Sequence, residues 1–359
     1  MEDFYYNFEI FSEVFMKKFW AIIILIIFNL SLKSQDKVNR IIAIGPGALR
    51  IVAYLDAIDR VVGVENIEIK YPKSRPYSVS YYDKIKNLPI IGEGGPDKIP
   101  DFERIIKLKP DLIFIGSSDE VVIKTITEKT GIKVFSVDYG GIGGFDLNKF
   151  RKVILDTSKI LGKEKRGDYL LKKIDYYLSD IKRRVKDLKF DKKVYIGGVG
   201  FKGTHGIEST LSSYQPFDFL GIKNSIFSDL PHIFTTKEKI LSINPDYIFI
   251  DKGGLSLISD DIIKNMDYYK MLKAFKEGKV YVTLPYNHYT TNVEIVFVNT
   301  YFVGKVLFNE KFKDVDLMKK CGEIFKDFVG KDVCSNFMDD NNFYKRLEIL
   351  NGKPEFRDI

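Results

Sequence analysis

The chain has 359 residues, which is enough for two domains with sizeable cores. Hydrophobic residues make up 45% and charged residues 29%, a composition that is typical of a folded protein and excludes a disordered chain. The net charge of +7 is spread along the sequence, without a basic run interleaved with aromatic residues, so we expect a solvated surface and no nucleic-acid partner.

Residues 1–36 are predicted to be a signal or anchor segment. Two lysines after Met16 precede ten unbroken apolar residues, Phe19 to Phe28. The run is shorter than the roughly 20 residues of a membrane span but suits the core of a secretory signal. The residues before Met16 are acidic and aromatic, unlike the start of a signal, so Met16 is the expected start. Cleavage and retention as an anchor both stay open, and in either case we expect the body of the protein outside the cytoplasm, in the periplasm or at the cell surface.

An N-terminal α/β lobe is predicted over residues 37–146. It opens with a strand, RIIAIG at 40–45, that runs into a Gly-Pro-Gly loop. Residues 67–84 show neither helical nor strand periodicity, so we expect a loop there. A helix near 120–129 and a strand at 133–137 follow later in the lobe.

The chain contains the same pattern twice, 135 residues apart. ERIIKLKPDLIFI at 103–115 and EKILSINPDYIFI at 238–250 agree at seven of thirteen positions without a gap. Each copy predicts a helix, a proline that ends it at Pro110 or Pro245, and a short apolar run typical of a parallel strand buried on both faces. The first helix begins at an Asp101 cap, and Thr235 with Glu238 forms a capping box for the second. The chain therefore contains two copies of one α/β lobe.

The two lobes are joined by a predicted connecting helix within 147–190. A helix of about 25 residues spans roughly 37 Å at 1.5 Å per residue, so we expect a rigid strut that restrains closure and leaves a largely pre-formed cleft. The C-terminal lobe covers 191–310, with a strand at 193–200, a helix near 262–276 and a strand at 279–284.

A helical tail is predicted over residues 311–359. It contains the two cysteines of the chain, Cys321 and Cys334. In an exported protein they could pair, and two buried thiols are an equal alternative. Two cysteines are too few for a cysteine-held iron–sulfur cluster or a four-cysteine zinc site.

The ligand site is expected in a cleft between the lobes, on loops at the carboxyl ends of the strands. These loops are residues 45–50, 67–84, 116–119, 138–146, 198–210, 228–236, 251–257 and 285–292. Their tyrosines suit flat rings and their arginines suit carboxylates or phosphates. The candidate ligand-binding residues are Gly47, Ala48, Arg50, Arg75, Tyr77, Ser117, Tyr139, Lys202, His205, His232, Tyr286 and His288.

Two of these candidates have specific expected roles. Arg50 follows a Gly-Pro-Gly turn at a helix start, so the guanidinium and the helix dipole could act on one anion, although a surface arginine is an equal alternative. His288, between Tyr286 and Tyr289, is the histidine first expected to contact a ligand. The spacing of the three histidines forms no metal-binding motif, so no metal site and no cofactor are predicted.

These features resemble the extracytoplasmic substrate-binding proteins of ABC importers. The resemblance rests on the two α/β lobes, the connecting helix, IIAIGPGALRIVAYLDAIDRVVGVE, and the two blocks that end in KPDLIFI and NPDYIFI. It is closest to the class with a helical backbone between the lobes, class III, which binds ferric siderophores, haem and cobalamin. The loop Gly45–Arg50 departs from that family's Ser-Pro-Ser/Thr loop, so the resemblance leaves the ligand open.

The resemblance implies an iron(III)-siderophore or similar metal complex as ligand, delivered by a monomer to an ABC permease and its ATPase. It also implies that Glu103 and Glu238, at matching helix starts, pair with arginines of the permease; a helix-dipole role is the plainer alternative. Cobalamin or haem binding, or a chelatase-like enzyme, are the alternatives for function. We expect no enzyme, because the sequence contains no nucleophile elbow, Walker loop, zinc-protease or dinucleotide-binding motif.

Overall fold

The computed structural model describes residues 38–95, 98–140, 144–337 and 344–359. The predicted signal or anchor segment, 1–36, lies outside the described residues. Residues 39–359 form one compact unit. Within the described ranges, none of the helices has both the length and the apolar character that crossing a bilayer requires.

The unit consists of α-helices packed around two main sheets. The strands are β1 (Ile41–Ile44), β2 (Val61–Gly63), β3 (Leu112–Ile115), β4 (Val134–Ser136), β5 (Val194–Gly197), β6 (Ser209–Leu211), β7 (His232–Phe234), β8 (Tyr247–Asp251), β9 (Val280–Thr283), β10 (Arg346–Leu350) and β11 (Lys353–Arg357). The helices are α1 (Ala48–Tyr54), α2 (Asn66–Lys70), α3 (Pro76–Ile85), α4 (Phe102–Leu108), α5 (Glu120–Thr130), α6 (Leu147–Leu161), α7 (Glu164–Val185), α8 (Gln215–Asp218), α9 (Lys237–Ile243), α10 (Leu255–Lys264), α11 (Met266–Met271), α12 (Lys273–Lys276), α13 (Val293–Leu307), α14 (Asn309–Phe312), α15 (Leu317–Val329) and α16 (Cys334–Phe337).

The first sheet has the order β2-β1-β3-β4 and is parallel throughout. Its two central strands, IIAI and LIFI, are buried at every position, as expected for strands covered on both faces. Ile105 of α4 and Ile126 of α5 pack on the isoleucines of these strands and close one face of the core. Burial of this apolar surface is the main stabilisation of the first lobe.

The second sheet has the order β11-β10-β9-β8-β5, in which β5, β8 and β9 are parallel. The two lobes therefore share one arrangement of parallel strands, and the predicted fold class is confirmed.

The predicted helical tail is only partly helical, because 346–357 form an antiparallel hairpin that extends this sheet. Its turn, Asn351-Gly352, has positive φ at both residues, the geometry that Asn-Gly favours. Cys321 and Cys334 form a disulfide.

The two copies of the repeated pattern have matching caps and strand contacts. Asp111 accepts a hydrogen bond from the Arg40 N–H at 2.8 Å, and Asp246 accepts one from the Lys193 N–H at 2.8 Å. Each aspartate thus joins the start of one strand to the start of its parallel neighbour. The cap of the second helix is Thr236 and not Thr235, since the Thr236 side chain accepts from the Lys239 N–H.

The connection between the lobes is a pair of helices, α6 and α7, and not a single strut. Gly162 ends α6 with a φ of 60°, a left-handed conformation that glycine adopts without strain. Arg151 of α6 forms an ion pair with Asp175 of α7, so the helices lie side by side. The 22 residues of α7 make the long helix of the connection, about 33 Å at 1.5 Å per residue.

The segment 67–84, expected to be a loop, is mainly helical. Pro76 occupies the first turn of α3, where its fixed φ and missing N–H are tolerated. Tyr77 and Tyr81 bury one face of this helix. Because these buried side chains are tyrosines and not aliphatic residues, the apolar periodicity of the segment did not reveal the helix.

Candidate ligand-binding site

A cavity of about 620 Å³ lies between loops of the two lobes. This volume is within the range of about 300–1,000 Å³ that is usual for small-molecule sites. The lining residues are Ile67, Tyr71, Lys73, Ser74, Gly200, Phe201, Lys202, Gly203, Thr204, Lys252, Gly253, Pro285, Asn287, His288, Tyr289 and Thr290.

The cavity wall combines positive charge with aromatic rings. Lys73 comes from the first lobe, and Lys202 and Lys252 come from the second. Among the described residues that line the cavity, none is an aspartate or a glutamate. Tyr71 and Phe201 add flat apolar surface. The wall therefore favours an anionic ligand with aromatic or other planar groups.

The floor of the cavity is a second-lobe segment, 285–292, that is bonded to the first lobe. Arg50, which is fully buried, donates to the Asn292 Oδ1 at 2.7 Å and to the His288 carbonyl at 3.2 Å. Its other terminal nitrogen donates to the Tyr139 hydroxyl. The bonds to Asn292 and His288 join residues about 240 positions apart in the sequence and hold the floor in place.

Arg75 holds the histidine of the floor. Its guanidinium is fully buried beside Glu68 and lies 3.0 Å from the His288 Nδ1. Burial, together with Arg75 and Arg50, lowers the pKa of His288 to about 3. The imidazole is therefore neutral at physiological pH.

Two buried carboxyl groups position the same segment. Glu65 accepts hydrogen bonds from the Tyr289 hydroxyl at 2.7 Å and the Gly45 N–H at 2.9 Å. Asp251 accepts from the Tyr286 N–H at 2.7 Å and the Gly253 N–H at 2.8 Å. Burial raises the pKa of each carboxyl to about 7, and the hydrogen bonds to its oxygens oppose that rise.

The structure brings two of the predicted binding residues, Lys202 and His288, to the cavity wall. Five others are buried behind it: Arg50, Arg75, Tyr77, Tyr139 and Tyr286. Tyr77 donates to the Glu68 carboxylate, and Tyr286 bonds to Gln215. Arg50 and Arg75 bond His288 of the wall, whereas Tyr77 and Tyr286 bond other side chains behind it.

The remaining candidates lie elsewhere. A Cβ on Gly47 would come within 2.6 Å of the Tyr139 hydroxyl, and Ala48 is fully buried, so this turn is covered by protein. Ser117 accepts from the Asp119 N–H in a turn. His205 and His232 lie in a ring cluster with Phe201, which stacks on His232 at 4.2 Å. Within the described parts of the chain, no three His, Cys, Asp or Glu side chains are grouped to hold a metal ion.

Sequence reasoning identified the loops better than the individual residues. Every lining residue falls within four of the predicted loops, 67–84, 198–210, 251–257 and 285–292. Tyr71, Lys73 and Lys252 were missed as individual contacts. Lysines and tyrosines are common on any surface, so only the loop position marked them.

We predict that Glu65→Gln changes the pH dependence of stability. The folded pKa of Glu65 is raised, so the carboxyl stabilises the fold when protonated, and this contribution is lost as pH rises from about 4.5 to about 7. Relative to wild type, the variant should therefore gain on the order of 3 kcal/mol between pH 4 and pH 8. Urea unfolding at both pH values measures the difference.

The stability of the wild type must be compared with that of the variant, because buried histidines change the free energy of unfolding with pH in the opposite direction. The pKa of His288 is lowered to about 3, so its contribution is present above pH 6.5 and is lost as pH falls. The contributions of Glu65 and His288 therefore oppose each other in the wild-type curve, and the difference from the variant isolates that of Glu65. A constant difference between wild type and Glu65→Gln across pH 4–8 would show that Glu65 does not titrate in this range.

A cavity between two similar α/β lobes, joined by a helical connection, defines a two-lobed ligand-binding protein. Residues 41–286 match the periplasmic binding protein family, and the chain belongs to that family. Substrate-binding proteins of this family bind small molecules outside the cytoplasm, work with an ABC transporter and are not enzymes.

Known relatives cover most of the described unit. The petrobactin-binding protein YclQ of Bacillus subtilis is 26% identical over 240 residues, 63% of this chain and 70% of that protein. The ferric-anguibactin-binding protein FatB of Vibrio anguillarum is 24% identical over 208 residues, 56% of this chain and 64% of that protein. The solved structure of molybdate-bound MolA from Haemophilus influenzae matches with a TM-score of 0.66 at 19% identity, over 83% of this chain and 94% of that one.

Proposed function

We propose that this protein binds an anionic ferric chelate of the siderophore type and delivers it to an ABC permease and its ATPase. The observation that carries the proposal is the cavity wall, where three lysines and several aromatic rings surround about 620 Å³ between the lobes. A chelate with catecholate or carboxylate groups offers both negative charge and planar surface. Such a ligand complements the positive charge and the aromatic rings of the wall.

The relatives support an iron chelate over a small oxyanion. Their names give petrobactin, ferric anguibactin, Fe(3+)-citrate and molybdate as ligands. Molybdate is a single tetrahedral ion and would leave most of a cavity of about 620 Å³ unfilled. A chelate of drug-like size fills a cavity of this volume.

Cobalamin and haem are the alternatives within the same family. Cobalamin is larger than the ligands that a cavity of about 620 Å³ usually encloses. A haem propionate could bind the lysines. His288 is unsuited to act as an axial ligand of the haem iron, because its Nδ1 already accepts from Arg75 and its proton lies on Nε2. A chelatase-like enzyme has less support still, because the lysine-lined wall repels the metal cation that a chelatase would insert.

Calorimetry with the purified protein tests the proposal. The panel contains ferric citrate, the ferric complexes of a bis-catecholate and a tris-catecholate, molybdate, haemin and cyanocobalamin. We expect at least one ferric chelate to bind with a Kd below about 1 μM, which is about −8 kcal/mol. Tighter binding of molybdate or cyanocobalamin than of every ferric chelate would contradict the proposal.

Glu103 and Glu238 are proposed to dock on the permease. Both are exposed in the first turns of α4 and α9, the two helices of the repeated pattern. Equivalent positions on two similar lobes would present carboxylates to a two-subunit partner, and basic side chains would bind them. The same proposal includes a monomeric binding protein, exported through the segment 1–36.

We predict that Glu103→Ala with Glu238→Ala reduces uptake of the chelate by roughly tenfold, the effect of losing about 1.4 kcal/mol of docking energy. Ligand affinity should stay within about twofold, because neither residue lines the cavity. Uptake of radiolabelled iron in cells and calorimetry on the purified variant measure the two effects.

The matched control is Glu120→Ala with Glu164→Ala. These are also exposed glutamates in first helical turns, so they carry the same helix-dipole effect without the repeated positions. Equal loss of uptake in both double variants would assign Glu103 and Glu238 to helix stability alone.

A further inference from the structure

The contact between Arg75 and His288 determines which nitrogen of the imidazole carries the proton. Arg75 Nη1 and His288 Nδ1 are 3.0 Å apart, and His288 also lines the cavity. An arginine side chain has donors only and does not lose its proton in proteins. The Nδ1 must therefore accept, and the proton of the neutral ring lies on Nε2.

The guanidinium of Arg75 is held in place by further hydrogen bonds, so it stays the donor to the imidazole. Its Nε donates to the Ser78 hydroxyl at 3.0 Å, and its Nη2 donates to the Ile67 carbonyl at 2.8 Å. Glu68 lies beside the guanidinium, and the side chain is fully buried. The backbone of His288 is held as well, through the bond from Arg50 to its carbonyl.

This arrangement is opposite to that of a histidine prepared for metal binding. A metal-ligating imidazole uses one nitrogen lone pair for the metal and donates the other N–H to a carboxylate or carbonyl. Here the lone pair of Nδ1 is already used by an arginine, and Nε2 carries a proton. The other charged groups of the described wall are lysine ammonium groups, which are also donors.

We propose that Arg75 is a positioning residue that makes His288 a hydrogen-bond donor to the ligand, so that the protein selects chelates whose metal is already fully coordinated. This inference rests on the proposed function, since it names the kind of chelate that the same cavity takes. A chelate with open metal positions would find no imidazole lone pair at His288. A hexadentate chelate would present its outer oxygens to the Nε2–H and the lysines.

Nuclear magnetic resonance of the ring nitrogens tests the first step without any ligand. The chain has three histidines, so ¹⁵N-histidine labelling gives a simple spectrum of the full protein. We expect His288 to show a protonated Nε2 and an unprotonated Nδ1, assigned by its loss in His288→Gln. In Arg75→Gln, whose amide oxygen can accept, part of the population should change to the Nδ1-protonated tautomer. A protonated Nδ1 in the wild-type protein would overturn the proposal, even if Arg75→Gln does not fold.

The second step is tested with ferric tris-catecholate, which is hexadentate, and ferric bis-catecholate, which leaves two positions open. We expect the hexadentate complex to bind at least about tenfold more tightly and to keep its visible absorption band on binding. His288→Leu should lose about tenfold in affinity, whereas His288→Gln, which retains an N–H donor, should lose about threefold.

Two results of this binding experiment would also overturn the inference. One is a bis-catecholate complex that binds more tightly and whose absorption band shifts in wild type but not in His288→Gln, since His288 would then ligate iron. The other is a shift that persists in His288→Gln, since another side chain would ligate iron. If neither complex binds and ferric citrate does not bind either, the proposed function fails, while the ring spectrum still decides the tautomer.

Discussion

Exchanging Lys73, Lys202 and Lys252 together for glutamine is expected to weaken the binding of an anionic ferric chelate by on the order of 100-fold. The three ammonium groups line one cavity, and Lys73 and Lys202 are exposed. Solvent therefore screens these two fully and the half-buried Lys252 in part, and we expect a contribution of about 1 kcal/mol per charge. Together these contributions amount to about 3 kcal/mol, or roughly two powers of ten in Kd.

The matched control is a triple variant of exposed lysines outside the cavity, Lys129, Lys172 and Lys264. Both triple variants lower the formal net charge from +7 by three units, to +4. The control should therefore lose only the long-range part of the attraction, which disappears at 0.5 M salt because screening is then strong. Calorimetry at low and high salt separates the two parts. Equal loss in both variants would mean that net charge, and not the cavity wall, attracts the ligand.

Arg50→Met is expected to lower the free energy of unfolding by about 3–5 kcal/mol, the usual cost of removing one partner from a buried charged network. Arg50 is completely buried, and its donors serve Asn292, His288 and Tyr139. Burial raises the pKa of Glu294, and the positive charge of Arg50 opposes that rise. Without Arg50, these acceptors stay buried with fewer donors. Urea unfolding at pH 7 measures the change.

Arg183→Met provides the control for this prediction. Arg183 is an exposed arginine on α7, and its partner Asp180 keeps its hydrogen bonds from Arg184 and Tyr301 in the variant. Substitutions of exposed residues usually change stability by less than about 0.5 kcal/mol. A loss below about 1 kcal/mol for Arg50→Met would show that the network contributes little. Any loss of ligand affinity in Arg50→Met would then have to come from direct contact with the ligand, the role that the sequence first indicated for Arg50.

The fold class and the loops that form the site could be predicted from the amino-acid sequence. The duplicated helix, proline and strand predicted two similar lobes, because each element depends on local patterns of apolar residues and prolines. It also predicted the loops at the carboxyl ends of the strands, and the cavity uses four of them. The Asn351-Gly352 pair is a sequence signal for a hairpin, and the prediction of a helical tail did not take it into account.

The side chains of those loops that face the cavity could not be predicted, because they depend on how the two lobes pack. Arg50 and Arg75 have the chemistry of ligand-binding residues, yet both are fully buried and bind the segment 285–292. Arg75 and His288 are separated by 213 positions, so their contact depends on how the two lobes pack and not on any local pattern. A charged residue in a loop can bind a ligand or hold the loop in place. Which of the two it does depends on whether it is buried and on which residues of the other lobe it contacts.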